Sequence, residues 1–524
     1  MEEPPRLVRS GLVLFLSRMV SVVTGLAFTI MITRNVPDVE YGVWTNVTND
    51  VVAYFTLLSN VLPFWIIRFF ARGYKDSART GVCANLLLGV ISASIYVLIV
   101  PFLLPLLHIS SDYLPVYLLA SIHVIEIYLV SAFQPILRVA KIETLGYGLL
   151  LEEIVRVGLG YWFIMHMGIG LQGAMLALIC AFLVQVMVYV YIGRENLRGR
   201  IEWVYVKEWV KGSTANLYNI VGYRVAAFAP IMLIIVCGEE VGLKARAFYG
   251  ASYQIASVIN YATFLVFALY PRLLMRRDPK DVSESFKLLF MFVLPMMAGV
   301  IAFADSFLVI LGKRVIKGEL VDYSVAAPIL RLLAPSMLAL TVSQVLNSII
   351  FGAEKFDLEA RIPLKKLVRS KIFAVFTLPY IKALIVLPAL YFVLSTFNVN
   401  LAVDSVQQAV AASFYFVQLL LAAEIILLIV RVILTRRMIT FPFPWKNLLK
   451  YSLASTIMAV FLLLIDHPTK ISTVLLYTVI AGAIYFAFLL IIDKDARSLV
   501  KEALNEIKLE VNKIKLLKGR PIKT

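Results

Sequence analysis

Long apolar stretches recur in this chain from Gly11 almost to its end, at intervals of about 30 to 40 residues, and charged residues gather between them. A helix of about 20 apolar residues crosses the hydrocarbon core of a bilayer. Inside that core a backbone has few other ways to satisfy its N–H and C=O groups. The pattern therefore predicts an all-α polytopic membrane protein. Composition agrees: 61% of the 524 residues are hydrophobic and 16% charged, where soluble domains sit near half and a quarter.

Fourteen transmembrane helices are expected, at 11–33, 42–67, 82–107, 114–137, 145–165, 169–193, 209–236, 247–271, 288–311, 325–350, 372–396, 406–434, 447–465 and 471–492. Glu152, Glu153 and Arg156 interrupt the fifth, and a tight turn from Asp466 to Lys470 separates the last two. Charge asymmetry tests the count. With the tails and even-numbered connections placed on one side, the odd-numbered connections hold only 7 of the 50 Lys and Arg. Clusters such as Arg68, Arg72, Lys75 and Arg79, or Arg272, Arg276, Arg277 and Lys280, fall on the rich side. The positive-inside rule makes that side cytoplasmic, so both termini are expected in the cytoplasm of a multi-pass cell-membrane protein. The formal net charge of +17 reports contact with anionic membrane lipids, and no nucleic acid is needed to explain it. The first span is too long for a cleavable signal peptide and is expected to stay in the membrane.

A faint internal repeat organises these spans. Trp44 precedes Arg68 by 24 positions and Tyr249 precedes Arg272 by 23, with basic patches ending at Asp76 and Asp281. Gln134 precedes Lys141 by 7, as Ser348 precedes Lys355, and the landmarks are displaced by 204 to 214 residues. Six helices return a chain to its starting side, so the copies share one orientation. Two parallel six-helix lobes flanking a cavity form a recurrent transporter plan. The expected organisation is an N-terminal lobe over 1–205, a C-terminal lobe over 206–440, a helix pair over 441–492, and a basic cytoplasmic tail over 493–524. In the tail Leu504, Ile507, Val511 and Ile514 keep helical spacing, which predicts an amphipathic helix along the inner leaflet.

Ionisable residues inside spans are functional candidates, because a charge at the bilayer centre costs about 2.5–3.5 kcal/mol on insertion scales. Arg18, Asp50, Glu126, Arg224, Asp305, Arg331, Lys382 and Glu424 stand in the expected spans. The first helix of each lobe is unusually polar: Ser21 accompanies Arg18, and Asn216 and Asn219 precede Arg224. With Asn49 on the second span they would line a wet cavity. The guanidinium fork suits phosphate oxygens, and Ser and Asn suit phosphate or sugar hydroxyls. The structural alternative pairs Arg18 with Asp50 and Arg224 with a carboxylate or a helix-end carbonyl. Arg331 and Lys382 are expected to snorkel to an interface. Asp50, Glu126, Asp305 and Glu424, with Arg331 and Lys382, are candidates for coupling or gating. Cys83, Cys180 and Cys237 show no metal or disulfide spacing, no cofactor is expected, and no phosphate-binding Gly-rich loop of the ATPase type occurs.

The segment Arg34-Asn35-Val36-Pro37-Asp38-Val39-Glu40-Tyr41-Gly42-Val43-Trp44 and the basic turn Arg68-Phe69-Phe70-Ala71-Arg72 resemble those of the polysaccharide-transporter branch of the MOP exporter superfamily, the Wzx-like flippases. The chain is also similar to the related MurJ and MATE families. The resemblance implies two six-helix lobes in a V, alternating access, and translocation of a polyprenyl-(pyro)phosphate-linked oligosaccharide from the cytoplasmic to the outer leaflet. It also implies that cavity arginines contact the pyrophosphate, roles carried to Arg18 and Arg224. In the MurJ branch there are fourteen helices, the last pair forming a groove beside the second lobe. Protons or Na+ are expected as coupling ions, and one copy suffices. The competing class is a MATE-like cation-coupled antiporter of small organic molecules, dependent on a carboxylate such as Asp50 or Glu126. A membrane glycosyltransferase finds little room, since Asp38 and Glu40 form the only acidic pair in the first loop and outer loops are short. No enzyme activity is expected.

Overall fold

The computed structural model describes residues 20–21, 23–71, 73–141, 143–266, 278–316, 319–353, 369–397, 404–466 and 468–498. Among these, nine helices are long and apolar enough to cross a membrane, from Asp76–Leu106 to Ile471–Ile492. A tenth arises if the bent pair Asp38–Phe55 and Leu57–Ile67 counts as one span. Each coincides with an expected span, and the chain is a multi-pass membrane protein.

Helices also stand at the other four expected positions, but they are shorter or more charged. Val23–Thr33 is a short apolar helix. Glu143–Gly160 carries Glu152, Glu153 and Arg156 and continues as the π-turn Tyr161–His166. Glu239–Ala256 opens with Glu239 and Glu240, holds Lys244 and Arg246, and runs into a 3₁₀ segment, Ser257–Val266. Trp445–Leu463 spends its first turns on Lys446 and Lys450. Charge, not lack of helix, separates the last three from the rest, whereas Val23–Thr33 is uncharged and short.

Several expected spans are broken. The seventh is three pieces, Trp203–Gly212, Thr214–Ala226 and Ala229–Cys237, the last starting with Pro230 in its first turn. The second contains a π-turn, Asn46–Val51, which carries Asn49 and Asp50. Such wide turns often mark functional sites, because the inserted residue rotates its neighbours off the regular helix faces. The departure from helix among the described residues is a small antiparallel ribbon, Lys313–Ile316 with Glu319–Asp322, register Lys313 to Asp322. It lies in the expected ninth connection.

Packing follows chain halves. Asp76–Leu106, Leu114–Ala140 and Gly170–Gly193 pack together before residue 200. Ala327–Ala353 lies on Ser405–Arg436, Thr214–Ala226 on Lys371–Phe397, and the final helices on Pro279–Ala302. Asp493, 1% exposed, anchors the last helix by accepting from Lys450 Nζ at 2.9 Å and Tyr451 Oη at 3.2 Å. Just beyond, Lys287 hydrogen-bonds Asp495 at 2.9 Å and holds its carboxyl below the usual range. The predicted tail helix around Leu504 to Lys518 lies outside the described residues.

The halves meet most closely where Asp38–Thr45 crosses Glu239–Ala256. A Cβ on Gly42 would stand 2.2 Å from the Leu243 carbonyl oxygen, and one on Gly250 would stand 2.8 Å from Thr45 Cγ2. Backbone meets backbone at Gly42, so nothing flexible can yield. Gly42→Ala should therefore destabilise the protein by about 2–3 kcal/mol, the upper end of overpacking. Gly482→Ala, with no atom within 4 Å of its added Cβ, should be neutral or slightly stabilising. Thermal unfolding of the two variants in the same detergent checks the contrast.

Candidate functional site

A cavity of about 870 Å³ opens beside that crossing, with walls from both chain halves. Its ionisable groups fall into small networks, each built by helix register. Arg246 donates from Nε to Asp50 Oδ2 at 2.6 Å and from Nη2 to Asp50 Oδ1 at 2.9 Å. This bidentate pair bridges the two crossing segments. Nη2 also reaches the Thr45 carbonyl at 3.3 Å, and Asn46, held by the Tyr117 hydroxyl at 2.6 Å, leans on Asp50 at 3.5 Å. Asp50 and Arg246 are 6% and 3% exposed.

On the neighbouring wall Arg156 pairs with Glu153 and, at 3.3 Å, with Glu152. Ser21 and Thr24 hydroxyls both donate to Glu153 at 2.5 Å. On the opposite wall Lys382 Nζ meets Glu424 Oε1 at 2.6 Å. Arg431 is different. Its Nε donates to Asn347 Oδ1 at 3.1 Å and its Nη1 to Ser343 Oγ at 3.2 Å. Among the described residues no carboxylate lies within ion-pair distance of it. Arg431 is thus a cavity cation held by neutral groups.

The residues singled out from sequence distribute unevenly. Asn49 lines the cavity, as do Asp50, Lys382 and Glu424. Ser21 sits on the Glu153 carboxylate instead of the cavity wall. Arg224 and Asn219 are half-buried and do not line the cavity. The Arg224 carbonyl accepts from Tyr54 Oη at 3.0 Å. Arg18 and the Asn216 side chain lie outside the described residues. One expectation is corrected. Lys382 turns inward onto Glu424, because a carboxylate one helix away is a stronger partner than a distant headgroup. Arg331 bonds Asp305 and the Ile301 carbonyl, away from the cavity, so these two neutralise each other. Asp50 takes Arg246 as its partner here. Glu126 stands behind His123, which lines the cavity.

Sequence reading missed Arg246, Arg156, His123 and Arg431 as site residues. Arg246 was hidden in what looked like a charged loop, although Glu240 and Lys244 already show the i,i+4 pairing of a helix. Arg431 lies within the expected twelfth span, 406–434, and its signal was available: it stands seven residues, two turns, after Glu424 and so shares its helix face.

Neither a family model nor a curated protein matches the chain. Solved structures do match. An inward-facing multidrug resistance MATE transporter of the MOP superfamily is 14% identical, with a TM-score of 0.59, over 80% of this chain and 95% of that one. The lipid II flippase MurJ, in an inward closed conformation, is 14% identical with a TM-score of 0.59, over 94% of this chain and 100% of MurJ. A MOP superfamily transporter from Pyrococcus furiosus, described as having a binding pocket of reverse polarity, is 14% identical with a TM-score of 0.51 over 83% and 96%. The chain has the fold of the MOP superfamily transporters.

The Asp50–Arg246 pair should behave as a unit. Asp50→Asn or Arg246→Met alone leaves a buried charge unmatched and should cost about 3–5 kcal/mol. The double variant should recover much of that loss. A double-mutant cycle of thermal stability in detergent measures it, and additive losses would show that the two side chains do not interact.

Proposed function

We propose that this chain is a transporter that moves a polyprenyl-(pyro)phosphate-linked oligosaccharide from the cytoplasmic to the outer leaflet of the cell membrane by alternating access. The observation that carries the reading is Arg431. Among the described residues each other cavity cation has a carboxylate within ion-pair distance, whereas Arg431 bonds Ser343 and Asn347 and feels Glu424 only from beyond that distance. A desolvated cation without an anion is costly, and a phosphate-bearing head group would supply the missing charge through a guanidinium fork. Asn347 and Asn49 then face the sugar as neutral donors and acceptors.

Other features support the same reading. A cavity of about 870 Å³ lies within the range of small-molecule sites, about 300–1,000 Å³. The outer apolar faces, such as Leu98 and Phe102 on Asp76–Leu106, leave the lipid tail in the bilayer. The MurJ match spans 94% of this chain where the MATE match spans 80%. The proposed architecture has fourteen spans, with lobes 1–205 and 206–440, the pair 441–492 and both termini cytoplasmic. Glu143–Gly160 and Glu239–Ala256 count as spans because Arg156 and Arg246 turn inward to the cavity. Arg18 and Arg224 stay in the proposal as further phosphate contacts, Arg224 beside the lining residue Tyr223.

A second reading, cation-coupled export of small organic molecules, is favoured by the two carboxylates at the cavity, Asp50 and Glu424. Binding separates the two. Arg431→Gln should weaken binding of a short polyprenyl pyrophosphate carrying one sugar by about 10- to 100-fold, since a hydrogen bond to a charged group contributes about 1.5–3 kcal/mol. Arg431→Lys should fall between, having lost the fork but kept the charge. Fluorescence binding to purified protein, with thermal midpoints as a folding control, reads this out. Unchanged affinity in Arg431→Gln, or binding of organic cations in place of the pyrophosphate, moves the assignment to the second reading.

A further inference from the structure

One wall of the cavity carries a titratable pair that phosphate recognition leaves unused. His123 and Glu126 lie one turn apart on Leu114–Ala140, with His123 Nδ1 at 3.2 Å from Glu126 Oε2. They are 6% and 3% exposed. His123 lines the cavity and Glu126, which does not, contacts its ring, so the ring offers the carboxylate a route to cavity water. Glu126 Oε1 has no hydrogen-bond partner, and no Lys or Arg among the described residues lies within ion-pair distance of Glu126. Phe182 holds the imidazole edge-on, with centroids 4.6 Å apart, which restricts its rotation.

The surroundings define what this pair can do. Glu143–Gly160 brings Arg156, whose charge acts on His123 but is held by Glu152 and Glu153. The facing segment 46–55 brings Asp50, held by Arg246, and Tyr54. Asp76–Leu106 brings Tyr96, and the pair's own helix brings Tyr117 and Tyr128. Gly170–Gly193 presents the Phe182 ring. Without a proton, the pair carries one uncompensated negative charge in a low-dielectric site. With one proton shared along Nδ1 to Oε2, it is neutral overall. Burial favours the neutral form, and water in the cavity keeps both forms reachable.

We propose that His123 and Glu126 form a proton-binding site that couples this transporter to a proton gradient. A proton from cavity water bonds to the ring, the ring releases its Nδ1 proton, and an O–H bond forms at Glu126 Oε2. Release reverses the step, and no electrons are exchanged. A metal cation finds poor ligation here, since one free carboxylate oxygen and one ring nitrogen do not make a shell, and no group of three metal-type ligands occurs among the described residues. Coupling to cargo rests on the phosphate reading above. The deprotonated pair adds negative charge to the cavity wall and opposes an anionic head, so proton and head-group binding favour each other reciprocally.

Infrared difference spectra of purified protein in nanodiscs, recorded across steps of pH, test the site without any cargo. The wild type should show the C=O band of a protonated carboxyl that titrates, and Glu126→Gln should lack it. Glu126→Asp should shift the band's frequency, and His123→Gln should displace its midpoint by at least tenfold in proton concentration. An unchanged titrating band in Glu126→Gln overturns the proposal, as does a band in His123→Gln with the wild-type midpoint. Circular dichroism and the thermal midpoint confirm that each variant is folded, and Glu126→Asp serves if Glu126→Gln is not. A second arm loads proteoliposomes with a pH dye and adds the sugar-bearing polyprenyl pyrophosphate. Cargo-driven proton movement that Glu126→Gln abolishes supports the coupling. A Glu126-dependent infrared band with no response to this cargo removes the cargo reading and leaves the proton site standing, while transport driven by Na+ alone overturns the coupling.

Discussion

Everything near the cavity depends on the buried crossing of Asp38–Thr45 with Glu239–Ala256, closed by the Asp50–Arg246 pair. Two helices can approach this closely only where a side chain is missing, and Gly42 against the Leu243 backbone supplies that place. Close approach then brings the carboxylate on one segment within two hydrogen bonds of the guanidinium on the other. The pair is worth having in apolar surroundings because it is bidentate and further satisfied by Thr45 and Asn46. A buried ion pair lacking such support would be close to neutral or unfavourable.

The same rule governs the rest of the cavity wall. Lys382 has Glu424, and Arg156 has Glu152 and Glu153. Pairing offsets the desolvation penalty and cancels most of the field these groups could exert on a ligand. What is left over is Arg431, whose partners Ser343 and Asn347 orient the fork without cancelling its charge, and on it the proposed recognition rests. Position along a helix decides this. Glu424 and Arg431 share a face but stand two turns apart, too far to close on each other while Lys382 occupies the carboxylate.

Spans were legible in the sequence because hydrocarbon imposes a length and a composition on each one. Among the described residues nine apolar helices lie where the periodicity put them, and charge asymmetry needs no coordinates. Partners were less legible. Asp50 and Arg246 are 196 residues apart, and nothing local marks them as neighbours. Arg246 and Arg431 sit near span ends, where a basic residue ordinarily means an interface. Lys382 was read that way and proved to face inward, since its helix turns that side toward Glu424. The breaks at Asn46–Val51 and around Ser213 were also invisible, because a π-turn has no compositional signature.

Contacts above and below the crossing differ from it in kind, and that difference bears on motion. Toward the end expected outside, Thr33 donates to the Leu311 carbonyl at 2.5 Å, Arg34 to the Ile310 carbonyl at 3.1 Å, and the Ser110 N–H to Glu239 at 2.7 Å. Toward the other end, Trp65 donates to Ser213 at 2.8 Å and Tyr54 to the Arg224 carbonyl at 3.0 Å. Most of these are single hydrogen bonds at element ends, worth about 0.5–1.5 kcal/mol each when neutral and about 1.5–3 when a charged group takes part. Water can replace them. The crossing cannot be opened so cheaply, since separating it would strand both Asp50 and Arg246. In the proposed cycle the two lobes would therefore rock about the glycine-tight crossing, exchanging one set of end contacts for the other. The cavity beside it then keeps its charges while changing the side to which it opens, which is what a carrier of a charged head group requires.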